Sequence, residues 1–547
     1  MTATQTPALT QTSPRADRFP HDEKHATATT SPTLRGVRSR QFRPFVMWTL
    51  VLSLPLVIGL GIVLAPLEAI DVLLVVLFAL NTVWVSAAAV TAVIGSGSER
   101  VAGRIHPPRG WHPRARTAVL FLICGEEPEA VATRIRAMSA DLRRNGTDDV
   151  TEIWLLSDTS GPAVAAEERA MKPLVSDGIA RYRRRAQNTR RKPGNLADWL
   201  QKHSDGIDTM LVMDADSTMT ADRLNELRFC MENDPHLGLL QSGIALRPGP
   251  TRFAALQRLS TRLTGPVFIR GLQRWSGAAG NYWGHNALIR VAAFREVMHL
   301  PKLSGPAPYG GEFLSHDFIE AAWLVRAGWK VAISPRTSGS SEAGPEDLAT
   351  FHRRDRRWCQ GNLQHTRALF ARRLHPISRI HLAFGIQSYL SSPIWLTMIL
   401  LFLLAGMAPG AVPLLSGALA LLLVPKFAAL WRFWRRTSSS ARRRVFLRAT
   451  GAEILLSTLL SPLVMVRQTL GVLAVAAGRD CGWKRPDSNP RLVAPDGGIE
   501  ALAGCGLIAT AVLGGDTPMQ ALWLTLIAGP LLAAPWLVPW LDAPKDA

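Results

Sequence analysis

The stretch Thr209-Met210-Leu211-Val212-Met213-Asp214-Ala215-Asp216-Ser217 reads as an apolar strand ending in two carboxylates one residue apart. Side chains alternate faces along a strand, so Asp214 and Asp216 point the same way. Two like charges about 5 Å apart repel by roughly 3 kcal/mol at an effective dielectric near 20, which favours a cation between them. Magnesium suits such a pair, because it takes one or two carboxylates together with substrate phosphates and keeps part of its water. The other reading is an Asx turn that closes a surface strand.

Around this stretch, residues 96–380 alternate short apolar runs with amphipathic ones, the pattern of an α/β domain. Thr117 to Cys124 is the first expected strand, and Val131, Ile135, Met138 and Leu142 then line one face of a helix. Glu152 to Leu156 is a second strand ending at Ser157-Asp158, and Leu237 to Ser242 follows the acid pair. Three strands thus end in acids: Glu126, Asp158 and Asp214/Asp216. Ligands of open α/β sheets bind at the strands' carboxyl ends, so these acids are expected to converge on one site.

The chain has 547 residues, 47% of them hydrophobic, and a formal charge of +20, which fits nucleic acid, an anionic membrane face or a phosphorylated substrate. Cys124, Cys230, Cys359, Cys481 and Cys505 show no paired spacing and read as reduced thiols, Cys124 and Cys230 as buried ones. Residues 1–43 are polar and expected to be a disordered tail, too long a polar lead for a secretory signal. Phe45 to Pro66 and Val72 to Ile94 form a hairpin of span candidates within 44–95, flanked by Arg35, Arg38, Arg40 and Arg43 and by Arg100, Arg104 and Arg109. The positive-inside rule puts both flanks, and the amino terminus, in the cytoplasm. Residues 381–547 return to the membrane, with Tyr389 to Ala408, Ala411 to Leu430, an interrupted stretch Gly451 to Ala477, a short Ala501 to Gly514, and Gln520 to Leu541. Six to eight crossings are expected in all.

Several motifs lie between. Lys192-Pro193-Gly194-Asn195 puts a glycine beside a lysine, which suits a phosphate and equally a solvated turn after the basic run from Tyr182. Ser315-His316-Asp317-Phe318-Ile319-Glu320 opens a helix: Asp317 and Glu320 have capping-box spacing, and an aspartate at a helix start is held ionised, as a base must be. Arg353-Arg354-Asp355-Arg356-Arg357-Trp358-Cys359-Gln360-Gly361-Asn362 packs guanidinium groups against an indole, suited to phosphate and a sugar ring. A basic membrane-surface helix needs regularly spaced apolar residues, of which this stretch has few. Asn281-Tyr282-Trp283-Gly284-His285-Asn286 is polar-aromatic and suits an acceptor channel, with His285 read as structural rather than as a metal ligand.

In this order, Asp158, Asp214-Ala215-Asp216, Ser315-His316-Asp317 and the run ending at Trp358 resemble the membrane-embedded processive family-2 glycosyltransferases. Within these, Arg356-Arg357-Trp358-Cys359, Gly361-Asn362, Tyr282 to Asn286, Gly194-Asn195 and Leu314 to Phe318 resemble the glucans biosynthesis glucosyltransferase H family. The resemblance implies an α/β GT-A glycosyltransferase domain, a mixed sheet flanked by helices, inserted between transmembrane α-helices of the inner membrane. It implies UDP-glucose as donor, a β-1,2-linked glucan as acceptor and product, and Mg2+ or Mn2+ held by Asp214 and Asp216. Asp158, Glu126, Lys192, Gly194, Asn195, Arg356 and Arg357 would bind the donor with the acid pair. Asp317 would be the base, and Trp358, Trp283, His285, Asn286 and His316 would line the acceptor side. Inner-membrane lipids, a periplasmic glucan-processing protein and acyl carrier protein are the implied partners, and nucleic acid is not among them. Two features depart from the pattern: Arg354 stands where many relatives have glutamine, and Leu122-Ile-Cys-Gly-Glu126 replaces a Pro- and Asn-containing segment. No cyclic-di-GMP-sensing domain is expected after the last span. A synthase of another β-glucan or polysaccharide, and a non-enzymatic basic membrane scaffold, are the alternatives.

Overall fold

A computed structural model describes residues 39–97, 106–405, 410–481, 496–514 and 518–546. Most of the expected amino-terminal tail, with Arg35, Arg38, Arg100 and Arg104, lies outside the described residues. In chain order the strands are β1 (Thr117–Ile123), β2 (Thr151–Ser157), β3 (Arg181–Arg184), β4 (Thr209–Asp214), β5 (Thr218–Met219), β6 (Leu237–Ser242), β7 (Ala245–Leu246), β8 (Ala287–Arg290), β9 (Lys330–Ser334) and β10 (Ser340–Glu342). Seven of them form one sheet in the order β3-β2-β1-β4-β8-β6-β9, and β5, β10 and β7 form a small second sheet. β8 runs antiparallel to both neighbours while the other pairs are parallel, so the sheet is mixed.

Both faces of the large sheet are covered, as the unbroken burial of β1 requires. On one face Val119, Phe121 and Ile123 pack against Val131, Ile135, Met138 and Leu142 of α3 (Pro128–Arg144). The four apolar positions predicted to form a stripe do so. On the other face Leu120 and Leu122 meet Leu196, Trp199 and Leu200 of α5 (Arg191–Lys202). That core continues without a break into Phe45 and Val90 of the first two helices, α1 (Phe42–Val63) and α2 (Ala69–Ser96).

The link is α7 (Arg252–Ser276), whose Trp275 ring stacks on Phe45 at 4.4 Å. α2 and α7 touch backbone to backbone. A Cβ at Gly95 would stand 1.7 Å from the Val267 carbonyl oxygen, and one at Gly271 would stand 1.9 Å from that of Thr91. Only glycine permits that approach.

Among the described residues five helices are long and apolar enough to cross a membrane: α1, α2, α11 (Pro376–Ala405), α12 (Ala411–Arg436) and α13 (Ser440–Ala476). A bent pair of shorter helices, Trp523–Leu532 and Ala534–Asp542, makes six if it counts as one span. The expected six to eight is therefore met only at its lower end. The interrupted stretch near Pro462 is no hairpin: it lies inside the single continuous helix α13. Gly498–Gly514 is apolar but short. Cys124 and Cys230 are half-buried, not buried as expected, and all five cysteines are free.

Candidate active site at the carboxyl ends of the strands

The parallel register sets Ile123 against Ser157 and Leu122 against Asp214, so the ends of β2, β1 and β4 lie side by side. Neighbouring strands are about 4.8 Å apart, which brings the three acidic ends together as the sequence leads one to expect. Their partners differ. Asp158 is buried and held by a bidentate pair with Arg185, Nε to Oδ1 and Nη2 to Oδ2 both at 2.7 Å. Glu126 folds back to accept the Cys124 amide.

Asp214 forms an ion pair with the Lys192 ammonium. Burial pushes its pKa up, but Lys192, His285 and His316 outweigh burial and hold it at about 2. Asp216 is the opposite case. Burial, then the charges of Asp214 and Glu342, raise it, and its carboxylate has no hydrogen-bond partner among the described residues. One acid of the pair is thus neutralised by the protein and the other is left for something else.

Gly194 and Asn195 serve the scaffold. A Cβ at Gly194 would lie 2.1 Å from the Thr189 carbonyl oxygen, so the glycine lets the first turn of α5 close on the preceding loop. Buried Asn195 donates to the Leu156 carbonyl at 3.1 Å and accepts from Arg183 at 2.8 Å, tying α5 to the end of β2. Lys192, at the start of the same helix, is what reaches the acid pair.

Asp317 lies in the first turn of α9 (His316–Arg326). The capping box does not form: Ser315 makes no side-chain cap bond, and Glu320 pairs with His316 Nδ1 at 3.0 Å. The lowered pKa expected from the helix start is not what the surroundings of Asp317 favour. Burial raises its pKa, with His316 and Lys192 working against that rise. His316 is itself raised, because Glu320 and Asp317 outweigh its burial. A Cβ at Gly284 would stand 3.4 Å from Asp317 Oδ2, and the next residue, His285, lies 3.1 Å from Ser217 Oγ just after the acid pair, so acid pair and helix start face one crevice.

His285 is structural in its contacts, as read from sequence. Its Nε2 faces Glu342 at 3.2 Å, and its Nδ1 lies 3.1 Å from Ser217 Oγ and 3.0 Å from Asn286 Oδ1. Burial lowers its pKa, but Asp214 and Glu342 raise it further, to about 9. Asn286, at φ +50°, is buried and donates to Ser340 Oγ at 2.8 Å. Trp283 is half-buried, with its amide on Gln241 Oε1 at 2.9 Å.

The arginine-tryptophan run is a helix after all, α10 (Leu348–Gln364). Its buried face runs Leu348, His352, Asp355, Cys359, Leu363, a helical spacing filled partly by polar residues. Arg354 lies over the Trp358 ring at 4.4 Å, and Trp358 keeps 41% of its surface exposed. Arg357 is lowered by burial and next by Arg354, with Asp214 among the charges that oppose this. Arg356 lines a cavity of about 640 Å3 with Asp355, Cys359 and Gln468. Asp355, raised to about 6 by burial, accepts from Tyr389 at 3.1 Å and Gln468 at 3.2 Å.

The carboxyl half of α10 sets Asp317. Gln364 accepts the Leu314 amide at 2.9 Å, His365 Nε2 lies 2.8 Å from the Ser315 carbonyl, and a Cβ at Gly361 would stand 2.3 Å from Ser315 Oγ and 2.7 Å from its amide nitrogen. Gly361→Ala is therefore expected to displace the start of α9 at a cost of about 1–3 kcal/mol. Catalytic activity should fall while the circular dichroism spectrum is retained; full activity would remove this link.

Arg185 and Glu342, which partner Asp158 and His285, were not picked out from sequence, nor was the anchoring by Gln364 and His365. A signal existed for the first. Arg181 and Arg183 of β3 and Arg185 just beyond its end recur with period two, and pair with Glu152, Asp198 and Asp158 respectively.

A mixed seven-stranded sheet with helices on both faces and acids at adjacent strand ends defines a GT-A-type glycosyltransferase domain joined to membrane-type helices, and residues 209–435 match the family described as glycosyl transferase family group 2. Proteins named glucans biosynthesis glucosyltransferase H are 35% identical in Xanthomonas euvesicatoria, covering 84% of this chain and 77% of that one, and 35% identical in Cereibacter sphaeroides, covering 86% and 84%. The chain belongs to the glucans biosynthesis glucosyltransferase H family. A Rhodopseudomonas palustris relative of the same name is 37% identical over 74% of this chain, which spans 62% of that relative's length. Among solved structures, a mannosyltransferase from Pyrobaculum calidifontis in complex with GDP-Man and Mn2+ is similar at 14% identity and a TM-score of 0.45, covering 71% of this chain and 99% of that one.

Proposed function

We propose that the chain is an inverting glucosyltransferase that moves glucose from UDP-glucose onto a growing β-1,2-linked glucan and passes the product through a bacterial inner membrane. The observation that carries this reading is the Lys192–Asp214 ion pair at the strand ends with Asp317 facing it from beside Gly284. A cationic group beside paired carboxylates suits a diphosphate, and a half-buried carboxylate nearby suits a hydroxyl that must lose its proton.

Among the described residues no group of three or more His, Cys, Asp or Glu side chains is placed to hold a metal ion. Asp214 and Asp216 nonetheless fit magnesium or manganese, since Asp216 has no hydrogen-bond partner and the donor's phosphate oxygens would complete the shell. Bound there, the ion would neutralise charge on the departing diphosphate. Lys192 adds positive charge beside Asp214, and Arg356 and Arg357 of α10 would add theirs to the diphosphate. Asp317 accepts the acceptor hydroxyl's proton as its oxygen bonds to the anomeric carbon. As that bond forms, the bond from the anomeric carbon to UDP breaks, and UDP leaves with the electron pair. One displacement turns an α donor into a β link.

Asp158 would meet the uridine once Arg185 turns aside, with Glu126 next to it. Trp358 offers the acceptor sugar its exposed face, beside Trp283, His285, Asn286 and His316. In this reading residues 96–380 form a cytoplasmic catalytic domain between the hairpin 44–95 and the helices of 381–547. A periplasmic glucan-processing protein and acyl carrier protein would act with it.

The test is transfer by the purified chain in lipid from labelled UDP-glucose, UDP-galactose and UDP-N-acetylglucosamine in parallel. Incorporation from UDP-glucose alone is expected, and preference for another donor would overturn the donor assignment. Trp358→Ala should lower polymer formation more than donor hydrolysis; equal losses would argue against stacking on the acceptor.

A further inference from the structure

A second cleft, of about 720 Å3, lies between α3, the small sheet and α7. Ser217 and Thr218 form part of its wall, but Asp214 and Asp216 do not, so it adjoins the acid pair without including it. Four arginines line it, Arg134, Arg144, Arg258 and Arg262, against one acid, Asp141. Asp141 is already engaged: it accepts the Ala221 amide at 2.6 Å and pairs with Arg144 at 3.1 Å. Arg134 Nε is used as well, on the Ala215 carbonyl at 2.8 Å.

Arg258 and Arg262 remain. Neither has a hydrogen bond or ion pair among the described residues, and the Arg258 Nε is buried without a partner. A buried donor left unpaired is destabilising, and an anion in the cleft would satisfy it. Guanidinium forks match phosphate oxygens. The cleft also sits near the level where a span ends. Arg262 is five residues along α7 from Val267, whose backbone touches Gly95 near the end of α2, a rise of about 7.5 Å.

We propose that this cleft is a second anion site, taking a phosphate group carried either by an anionic lipid headgroup or by a soluble phosphate compound, and separate from the donor site. The experiment uses the full chain in detergent, wild type beside Arg262→Gln and Arg258→Gln/Arg262→Gln. Retention of phosphatidylglycerol against phosphatidylcholine is read by native mass spectrometry, and binding of inorganic pyrophosphate by calorimetry. Arg262 is exposed, so the single variant tests the site even where the double variant folds poorly. Wild type should hold one of the two probes at least about tenfold more tightly than the single variant, the loss of one charge-assisted contact, with UDP affinity equal in both. A difference confined to phosphatidylglycerol supports the lipid source, and one confined to pyrophosphate supports the soluble source. Equal binding of both probes by wild type and variants overturns the proposal, as does a matching loss of UDP affinity.

Discussion

Asp317→Asn is expected to lower glucosyl transfer by roughly 10²- to 10⁴-fold, the range for loss of a positioned general base, while leaving UDP affinity nearly unchanged. The asparagine keeps the size of the side chain and its place beside Gly284, so the loss reports proton acceptance rather than folding. The pH profile adds an independent sign. Only the ionised carboxylate accepts a proton, and burial raises the pKa of Asp317 above the ordinary carboxylate value. Transfer should therefore fall as the pH drops through that raised value, beginning closer to neutrality than an exposed aspartate would require. Residual transfer by Asp317→Asn should lack this acid limb. A variant with wild-type rates, or with the acid limb intact, would exclude Asp317 as the base.

The second large effect is expected for Asp214→Asn. Its charge balances Lys192 and supports protonated His285, whose pKa stands at about 9. Removing it should weaken magnesium-dependent UDP binding by roughly 100-fold, about 2.8 kcal/mol by affinity arithmetic. It should also lower the His285 pKa, which nuclear magnetic resonance reads without any donor present. Unchanged UDP affinity in magnesium would remove the acid pair from the donor site. An unchanged His285 would contradict the charge coupling instead.

How far the fold was legible depended on what each segment buries. β1, β2, β4 and β6 are apolar runs and stood out. β3 is Arg-Tyr-Arg-Arg, an edge strand whose arginines are matched by Glu152, Asp198 and Glu168, partners distant in sequence or brought in by packing. A charge run and a charge-paired strand look alike in sequence. α10 escaped notice for the same reason: His352 and Asp355 fill helix positions where an apolar residue is the usual sign of burial, and Asp355 is satisfied only by Tyr389 and Gln468 from other helices.

The site was legible in its acids and less so in its supports. Acids after consecutive parallel strands must end together, so the meeting of Asp158 with Asp214 and Asp216 followed from topology. Whether each acid is free or paired did not. That Arg185 occupies Asp158, and that Gly194 serves a close backbone contact, depend on loops whose paths no periodicity encodes. The pKa of Asp317 went the other way from the helix-start argument because burial outweighs a helix terminus, worth typically 0.3–1 kcal/mol at exposed sites.

The most direct measurement is incubation of the purified chain in lipid with labelled UDP-glucose and magnesium, followed by linkage analysis of the polymer. A β-1,2-linked glucan that disappears in Asp317→Asn is the expected result. Polymer formed only from another sugar nucleotide, or glucose transferred with retention as an α link, would contradict inverting glucosyl transfer at this site.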